Sequence, residues 1–279
     1  MKKIIIALLL LLTACGTSAP AQEILLVSTT STQDSGLLDI LIPAFTEQTG
    51  YEVRLIATGS GQALEIAEQG NADVILLHSP DAEKQFVADG WGIDRRLVMH
   101  NDFIIVGPES DPASLHTRTS AADAFLAIVS SASTFVSRGD ESGTHIKEKA
   151  IWQNAGLNPF DESWYLETGQ GQGATLSIAS EKQGYALVDR STFLAYQSNV
   201  DLKILFEGDG VLLNVYHVIV VNPDKWPHVN LAGALAFADF ITSPEGQKII
   251  GEFGEGAEAY GQPLFIPDAD KTDADLGLP

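Results

Sequence analysis

Four short segments of this chain combine glycine, serine and threonine where a strand pattern gives way to a helical one. They are residues 28–32, 58–61, 137–144 and 168–175. Because the carboxyl ends of parallel strands meet at one edge of a sheet, we expect these turns to lie close together. Unpaired N–H groups at helix N-termini, hydroxyl donors, and glycines that allow close approach would make a donor-rich pocket suited to an oxyanion.

Arg138 in the third turn favours an anion site over simple helix capping. Serine and threonine are common N-cap residues, so capping alone accounts for any single turn. An arginine directly before a Ser-Gly-Thr helix start, however, points a fixed positive charge and several N–H donors toward an anion. A carboxylate facing the ligand would favour a protonated anion such as phosphate. We expect instead that Asp140 accepts from Arg138 or from helix N–H groups, and that Asp73 pairs with backbone at a strand end.

Other chemistries lack the residue patterns that they require. The third turn does not have the Gly-x-Ser-x-Gly spacing of a nucleophile elbow, and His145, three residues after Ser142, does not make a catalytic triad. No phosphate-binding P-loop occurs, and the glycines of the fourth turn lack dinucleotide spacing. The six histidines show no metal-ligand spacing. We therefore expect no enzyme activity, no metal site and no cofactor.

The elements that position these turns are predicted as an alternating series of short strands and helices. The predicted strands, each buried on both faces, are residues 24–28, 53–57, 73–78, 103–107, 134–137, 185–189, 202–206 and 217–221. Leu37, Leu41 and Phe45 show the helical spacing expected between strands, with Pro43 expected to kink or restart that helix. The alternation indicates an α/β fold with parallel sheets.

Two chain crossings are predicted to divide the sequence into lobes with a hinge and a ligand cleft between them. The Gly- and Pro-containing segment 107–112 is typical of a linker, and a second crossing is expected near residues 208–210. The predicted parts are lobe 1 (24–108 and 215–266), lobe 2 (109–214) and an acidic tail (267–279). We expect the tail to be mobile.

Composition limits the classes of partner. Of 279 residues, 45% are hydrophobic, and 16 Lys+Arg against 37 Asp+Glu give a net charge of −21. That hydrophobic content excludes wholesale disorder, and a length above about 150 residues favours two domains. The negative charge, with no segregated basic patch, argues against nucleic acid as a partner. We expect a monomer.

The N-terminus predicts export and a lipid anchor. A charged start and nine apolar residues, too few to span a bilayer, lead directly into Leu-Thr-Ala-Cys at residues 12–15. This pattern is typical of a bacterial lipobox, with residues 1–14 as signal peptide, Cys15 as the acylated mature N-terminus and residues 15–23 as a tether. The alternative is an ordinary secretory signal that contains the chain's single cysteine. The predicted location is periplasmic or at the cell surface.

The ordered set of motifs resembles the tungstate-binding proteins of tungstate ABC transporters, and the third turn is also similar to that of phosphate-binding proteins. The matches, between about Ile24 and Pro267, are Ser-Thr-Thr-Ser-Thr at 28–32, Ser-Gly-Leu-Leu at 35–38, Ala-Asp-Val at 72–74 followed by His78, Val-Met-His-Asn-Asp-Phe at 98–103, and Ser-Arg-Gly-Asp with Ser-Gly-Thr-His at 137–145. The chain departs from the family pattern at Ser28, where threonine is usual, and at His100, where tyrosine is common.

The resemblance implies a two-lobed, type II periplasmic binding protein fold with a central cleft. It implies capture of tungstate outside the membrane and delivery to an ABC transporter permease. Carried over by position, the ligand-binding residues are Thr29, Thr30, Ser31, Ser60, Arg138, Ser142, Gly143 and Thr144. Gly173 and Thr175 are added from the composition of the fourth turn alone. Alternative ligands are molybdate, phosphate or another tetrahedral oxyanion, and a non-transport sensor or an enzyme on the same fold is a further alternative.

Overall fold

The computed structural model describes residues 23–254 and 263–278. The strands are β1 (Glu23–Thr29), β2 (Glu52–Thr58), β3 (Val74–Leu77), β4 (Gly92–Gly107), β5 (Phe135–Ser137), β6 (Tyr165–Glu167), β7 (Ala186–Asp189), β8 (Lys203–Phe206), β9 (Leu213–Val221) and β10 (Ile266–Pro267). The helices are α1 (Thr30–Asp34), α2 (Leu38–Thr49), α3 (Ser60–Glu68), α4 (Pro80–Ala88), α5 (Ala121–Ser130), α6 (Gly143–Asn154), α7 (Gln172–Lys182), α8 (Arg190–Tyr196), α9 (Leu231–Ile241) and α10 (Pro244–Glu252). In this part of the chain no helix is both long enough and apolar enough to cross a membrane.

The main sheet brings the first two predicted turns to one edge. Its strand order is β10-β4-β9-β3-β1-β2, with β1 parallel to both β2 and β3 and with β9 antiparallel to β3 and β4. Thr29 is in register with Thr58, and Ser28 with Leu76. The carboxyl ends of these three parallel strands therefore lie side by side, as the sequence predicted.

Strand β4 is long enough to pair with two separate groups of strands. Its first part pairs with β9 and β10, whereas Phe103–Gly107 pairs antiparallel with β7 on one side and β8 on the other. Strands β5 and β6 form a short parallel pair, and a bridge between Phe135 and Tyr185 ties them to the start of β7. Gly107 is needed where β4 meets Tyr185, because a Cβ on it would lie 2.5 Å from that ring.

The hydrophobic core is divided in the same way as the strands, into clusters around the main sheet and a cluster around β5. On one face of the main sheet, α2 and α9 share a core cluster with Ile24 of β1, and the edge-to-face pair Phe45–Phe237 joins the two helices. On the other face, α3 and α4 bury residues such as Ala63 and Phe86. Around β5, Phe125, Phe135, Trp152 and Tyr165 form a separate aromatic cluster with α5 and α6. Burying each such large side chain contributes about 1.5–3 kcal/mol.

The observed elements differ from the predicted ones in four places. The main sheet is mixed and not parallel as predicted, because β4 and β9 run antiparallel to the strands that they pair with. All eight predicted strands are present, but β6, β10 and the first part of β4 were missed, because they are very short or polar. Helix α2 continues through Pro43 as one helix, so the expectation of a restart is wrong. Strand β2 lies at the sheet edge and is only partly buried, so burial on both faces is wrong for it.

The acidic tail packs against β4 and β9, so the predicted mobility is wrong for its described residues. Asp268 is fully buried, donates its N–H to Val98 and pairs with His100, one of the departures from the family pattern. Asp273 Oδ1 lies 2.8 Å from His217 Nε2, and its Oδ2 lies 3.0 Å from Arg95 Nη1. The tail is therefore fixed by paired charges.

Candidate functional site

The first turn joins β1 to the short helix α1. Thr29 caps α1, since its Oγ1 accepts from the backbone N–H of Thr32 at 3.2 Å, and it lies 3.1 Å from Ser31 Oγ. Thr29 and Ser31 are buried, whereas Thr30 is half-buried. The turn thus gathers several hydroxyl groups at the end of β1 in a small volume.

His78, which follows β3, joins this turn. Its Nε2 lies 3.1 Å from Thr29 Oγ1 and 3.3 Å from Ser31 Oγ. Burial lowers the pKa of the imidazole, which favours the neutral ring. Sequence reasoning matched His78 to a family motif, at the carboxyl end of a strand beside β1, but did not assign it to the site.

The second and third turns meet at Ser60 and Gly143. Ser60 opens α3 and is 1% exposed, and its Oγ has no hydrogen-bond partner. A Cβ placed on Gly143, at the start of α6, would lie 3.2 Å from Ser60 Oγ and 2.9 Å from His78 Cε1. Only a glycine allows α6 to approach the other two turns this closely.

Arg138 and Asp140 organise the third turn. Arg138 is 4% exposed and donates through Nε and Nη2 to Asp140 Oδ2, at 3.0 Å for Nε. Asp140 Oδ1 accepts from the N–H of Ser142 at 3.2 Å. Burial opposes ionisation of Asp140, but the bonds from Ser142 and the charge of Arg138 outweigh it and hold its pKa below the usual value. Asp140 uses two of the five guanidinium N–H donors of Arg138, which leaves donors for an anion.

The remaining residues of the third turn support helix α6. Ser142 Oγ accepts from the N–H of His145 at 3.4 Å and caps the helix, and Thr144 is buried in its first turn. The expectation for the two carboxylates is confirmed, since Asp140 has the partners just described. Asp73 accepts from the N–H groups of Leu25 and Asn230, each at 2.7 Å.

The fourth turn is placed differently from the first three. Thr175 Oγ1 lies 3.1 Å from the carbonyl of Gly171, inside α7, and a Cβ on Gly173 would lie 2.6 Å from the ring of Tyr196. The turn contacts the third one at its start, where the Thr168 Oγ1 and the N–H of Gly169 donate to the carbonyl of Arg138 at 3.2 Å and 2.8 Å. Gly173 and Thr175 therefore have local partners and are not brought next to Ser60.

The resulting arrangement is rich in donors. Ser60, His78 and Gly143 meet at one point, Arg138 acts electrostatically on His78, and Thr29 and Ser31 border the same ring. Among residues 23–254 and 263–278, no group of three or more His, Cys, Asp or Glu side chains is arranged to hold a metal ion. The chemistry that the geometry offers is non-covalent binding of an anion.

Comparison with known proteins places this geometry in a family. Residues 16–245 match the family model described as a PBP superfamily domain. The tungstate-binding protein TupA of Peptoclostridium acidaminophilum is 47% identical over 251 residues, which cover 89% of this chain and 87% of that protein. The chain belongs to the tungstate-binding protein family. The resemblance stated from the motifs is thereby confirmed.

Solved structures of tungstate-binding relatives share the fold. The tungstate-binding protein TupA from Desulfovibrio alaskensis G20 matches with a TM-score of 0.78 and 43% identity, over 89% of this chain and 100% of that one. The tungstate ABC transporter structure from Geobacter sulfurreducens matches with a TM-score of 0.76 and 45% identity, over 83% of this chain and 98% of that one. This tungstate-binding family member therefore has the predicted two-lobed α/β fold of periplasmic binding proteins.

Proposed function

We propose that this protein captures tungstate outside the cytoplasmic membrane and delivers it to the membrane subunits of an ABC transporter. The observation that carries the proposal is the convergence of Ser60, His78 and Gly143, from the ends of three different elements, on one point, where Arg138 of the same turn as Gly143 acts electrostatically on His78. The family relatives named for tungstate support the choice of ligand. No covalent step is part of this activity.

Binding would proceed by closure of the two lobes on the anion. In the proposed division, Ser60 and the first turn belong to lobe 1, and Arg138 and the start of α6 belong to lobe 2. An anion that accepts from both sides stabilises the closed form, which the permease then recognises. Hydrogen bonds to a charged group contribute about 1.5–3 kcal/mol each. Half a dozen of them reach the roughly 12 kcal/mol of a nanomolar complex, before desolvation and closure are subtracted.

Protonation of the anion favours a fully deprotonated ligand such as tungstate. Tungstate is fully deprotonated near neutral pH and needs only donors, and Asp140 and Asp73 already have partners of their own. Molybdate is equivalent by this criterion. Phosphate is the second candidate, favoured by Asp189, whose Oδ2 is buried without a partner and whose charge acts on His78. Calorimetric titration with tungstate, molybdate, phosphate and sulfate separates these ligands, and tight phosphate binding without a tungstate response would contradict the proposal.

Arg138 provides the sharpest test of the site. Arg138→Ala removes the fixed charge and leaves Asp140 without its main partner, so we expect tungstate affinity to fall by about 100-fold or more. Arg96→Ala is the matched control, because Arg96 also forms ion pairs, with Asp94 and Asp239, but nearer the surface. Its affinity should equal that of the wild type. Unchanged binding in Arg138→Ala would remove Arg138 from the site.

The lipid anchor is a further part of the proposal. Residues 1–14 and Cys15 lie outside the described residues, and we propose from their sequence that Cys15 is acylated after cleavage of the signal peptide. Cys15→Ser should release the protein from the membrane fraction and abolish incorporation of labelled fatty acid. Membrane retention of the Cys15→Ser protein would contradict the anchor and leave the proposed binding function intact. We propose that the anchored protein acts as a monomer.

A further inference from the structure

His78 is held rigidly at the carboxyl end of β3. Its ring packs on Tyr216, with centroids 4.8 Å apart, and the residue is only 7% exposed. One nitrogen, Nε2, faces the hydroxyls of Thr29 and Ser31. The other nitrogen, Nδ1, is buried and makes no hydrogen bond of ordinary geometry, although the side chain of Asn214 acts on the ring as a hydrogen-bond acceptor. A buried polar atom without a partner costs about 1–3 kcal/mol, so Nδ1 calls for an explanation.

The unpartnered nitrogen lies where the two sides of the cleft meet. A Cβ placed on Gly143 would lie 3.3 Å from His78 Nδ1 and 3.2 Å from Ser60 Oγ. Ser60 Oγ is likewise buried without a partner. Two unpartnered polar atoms from different turns thus flank the same glycine, in contact with residues assigned to the oxyanion site.

The charges around the ring favour its neutral form. Burial is the main cause of the lowered pKa of His78, and the positive charge of Arg138 acts in the same direction. Asp189 and Glu83 act in the opposite direction, as does a hydrogen bond between the ring and the side chain of Asn214, whose Oδ1 has no other partner. A neutral imidazole has one N–H donor and one acceptor nitrogen. If Nε2 accepts from Thr29 or Ser31, then Nδ1 carries the proton.

We propose that His78 is itself a ligand-binding residue, which donates from Nδ1–H to an oxygen of the bound oxyanion beside Ser60, while Nε2 accepts from a hydroxyl of the first turn. The hydroxyl that donates to Nε2 fixes the tautomer of the ring, and the anion oxygen accepts from the buried Nδ1–H. This inference rests on the proposed oxyanion binding and adds to it a neutral donor that contributes no charge to the site.

Two substitutions distinguish the roles of the two nitrogens. In His78→Asn the amide nitrogen lies near the position of Nδ1, whereas in His78→Gln the amide reaches the position of Nε2. We expect tungstate affinity in His78→Asn to stay within about 10-fold of the wild type, and in His78→Gln to fall by about 10- to 100-fold. The opposite order would show that His78 only holds the hydroxyls, and it would overturn the proposal.

Spectroscopy of the ring tests the tautomer directly. With ¹⁵N-labelled histidine, the wild type saturated with tungstate should show Nδ1 protonated, with its resonance shifted relative to the free protein. A ring protonated at Nε2 would overturn the proposal. So would an Nδ1–H resonance that does not move on saturation, because the N–H would then donate to Asn214 and not to the anion.

Matched controls separate this inference from the proposed function. His116→Asn and His116→Gln alter an exposed histidine that pairs with Asp111, and both should bind as the wild type does. Circular dichroism and thermal melting show whether each His78 variant is folded. Failure of the wild type to bind any oxyanion would overturn the proposed function, whereas tight wild-type binding with no loss in His78→Gln overturns the role of His78 alone.

Discussion

Glu148 is a carboxyl group placed in the aromatic cluster around β5. It is 1% exposed, and its Oε1 accepts from the hydroxyl of Tyr165 at 2.7 Å and from Trp152 Nε1 at 3.1 Å. Burial raises the pKa of this carboxyl to about 7, although its hydrogen bonds act in the opposite direction. The protonated form is therefore the one that fits the folded protein best.

Glu148 should make stability depend on pH near neutrality. In the unfolded chain the carboxyl ionises at its usual pKa, so its contribution is fully present below about 4.5 and is lost as pH rises through about 7. In the Glu148→Gln variant, which remains uncharged, this loss of about 3 kcal/mol should disappear. Urea unfolding at pH 5 to 8 measures the effect. Exposed Glu65→Gln, on α3, is the control, and a slope unchanged in Glu148→Gln would contradict the prediction.

Single residues of the site were predictable only where the signal was local. The relation among Arg138, Asp140 and Ser142 lies within five residues, and the observed hydrogen bonds match the expectation. His78 was missed as a site residue because its partners are 47 and 49 residues away in sequence and meet it only through the pairing of β1 with β3. Roles that depend on strand register are not visible in spacing.

At the scale of elements, the tail was the least predictable part. Its acidic composition indicated a solvated extension, but Asp273 pairs with Arg95, which is 178 residues away, and with His217. An ion pair between residues this far apart in sequence cannot be predicted from the composition of the tail alone. The strands, by contrast, were predictable because their apolar runs are continuous, and only pieces such as β6 and β10 were too short to recognise.

Asp273→Asn tests whether the tail stabilises the fold. Burial opposes ionisation of Asp273, but His217 and Arg95 outweigh it and lower its pKa to about 2. Its contribution is therefore present above the ordinary value of 3.8 and is lost as pH falls toward 2. At pH 7, Asp273→Asn should lower the free energy of unfolding by about 1–3 kcal/mol, because Arg95 and buried His217 lose a charged partner. The control Asp270→Asn, at an exposed position in the same tail, should change the free energy of unfolding little. A loss of equal size in this control would contradict a specific stabilising contribution of Asp273.

At the scale of the whole molecule, an anion receptor with a net charge of −21 needs explanation. Net charge acts over long distances and is screened within about 8–10 Å at ordinary ionic strength. The proposed site would act at contact distance, through Ser60, His78 and the guanidinium of Arg138. Overall repulsion should therefore slow the approach of an anion without preventing its capture.

This balance predicts that added salt speeds association. Stopped-flow fluorescence of the four tryptophans should give a tungstate association rate that rises between low and moderate sodium chloride concentration. Potassium chloride at equal ionic strength serves as a control for effects specific to sodium. A rate that falls with salt would mean that the local charge of Arg138 dominates the approach of the ligand.

The continuity of β4 has a consequence for recombining parts of this protein with parts of its relatives. A gene fragment that begins after Pro108 would encode β7 and β8 without Phe103–Gly107, the segment that lies between them in the sheet. Each imported strand would then expose an open edge and invite aggregation. A chimera with exchanged specificity should therefore be joined upstream of Phe103, so that the insert brings its own central strand.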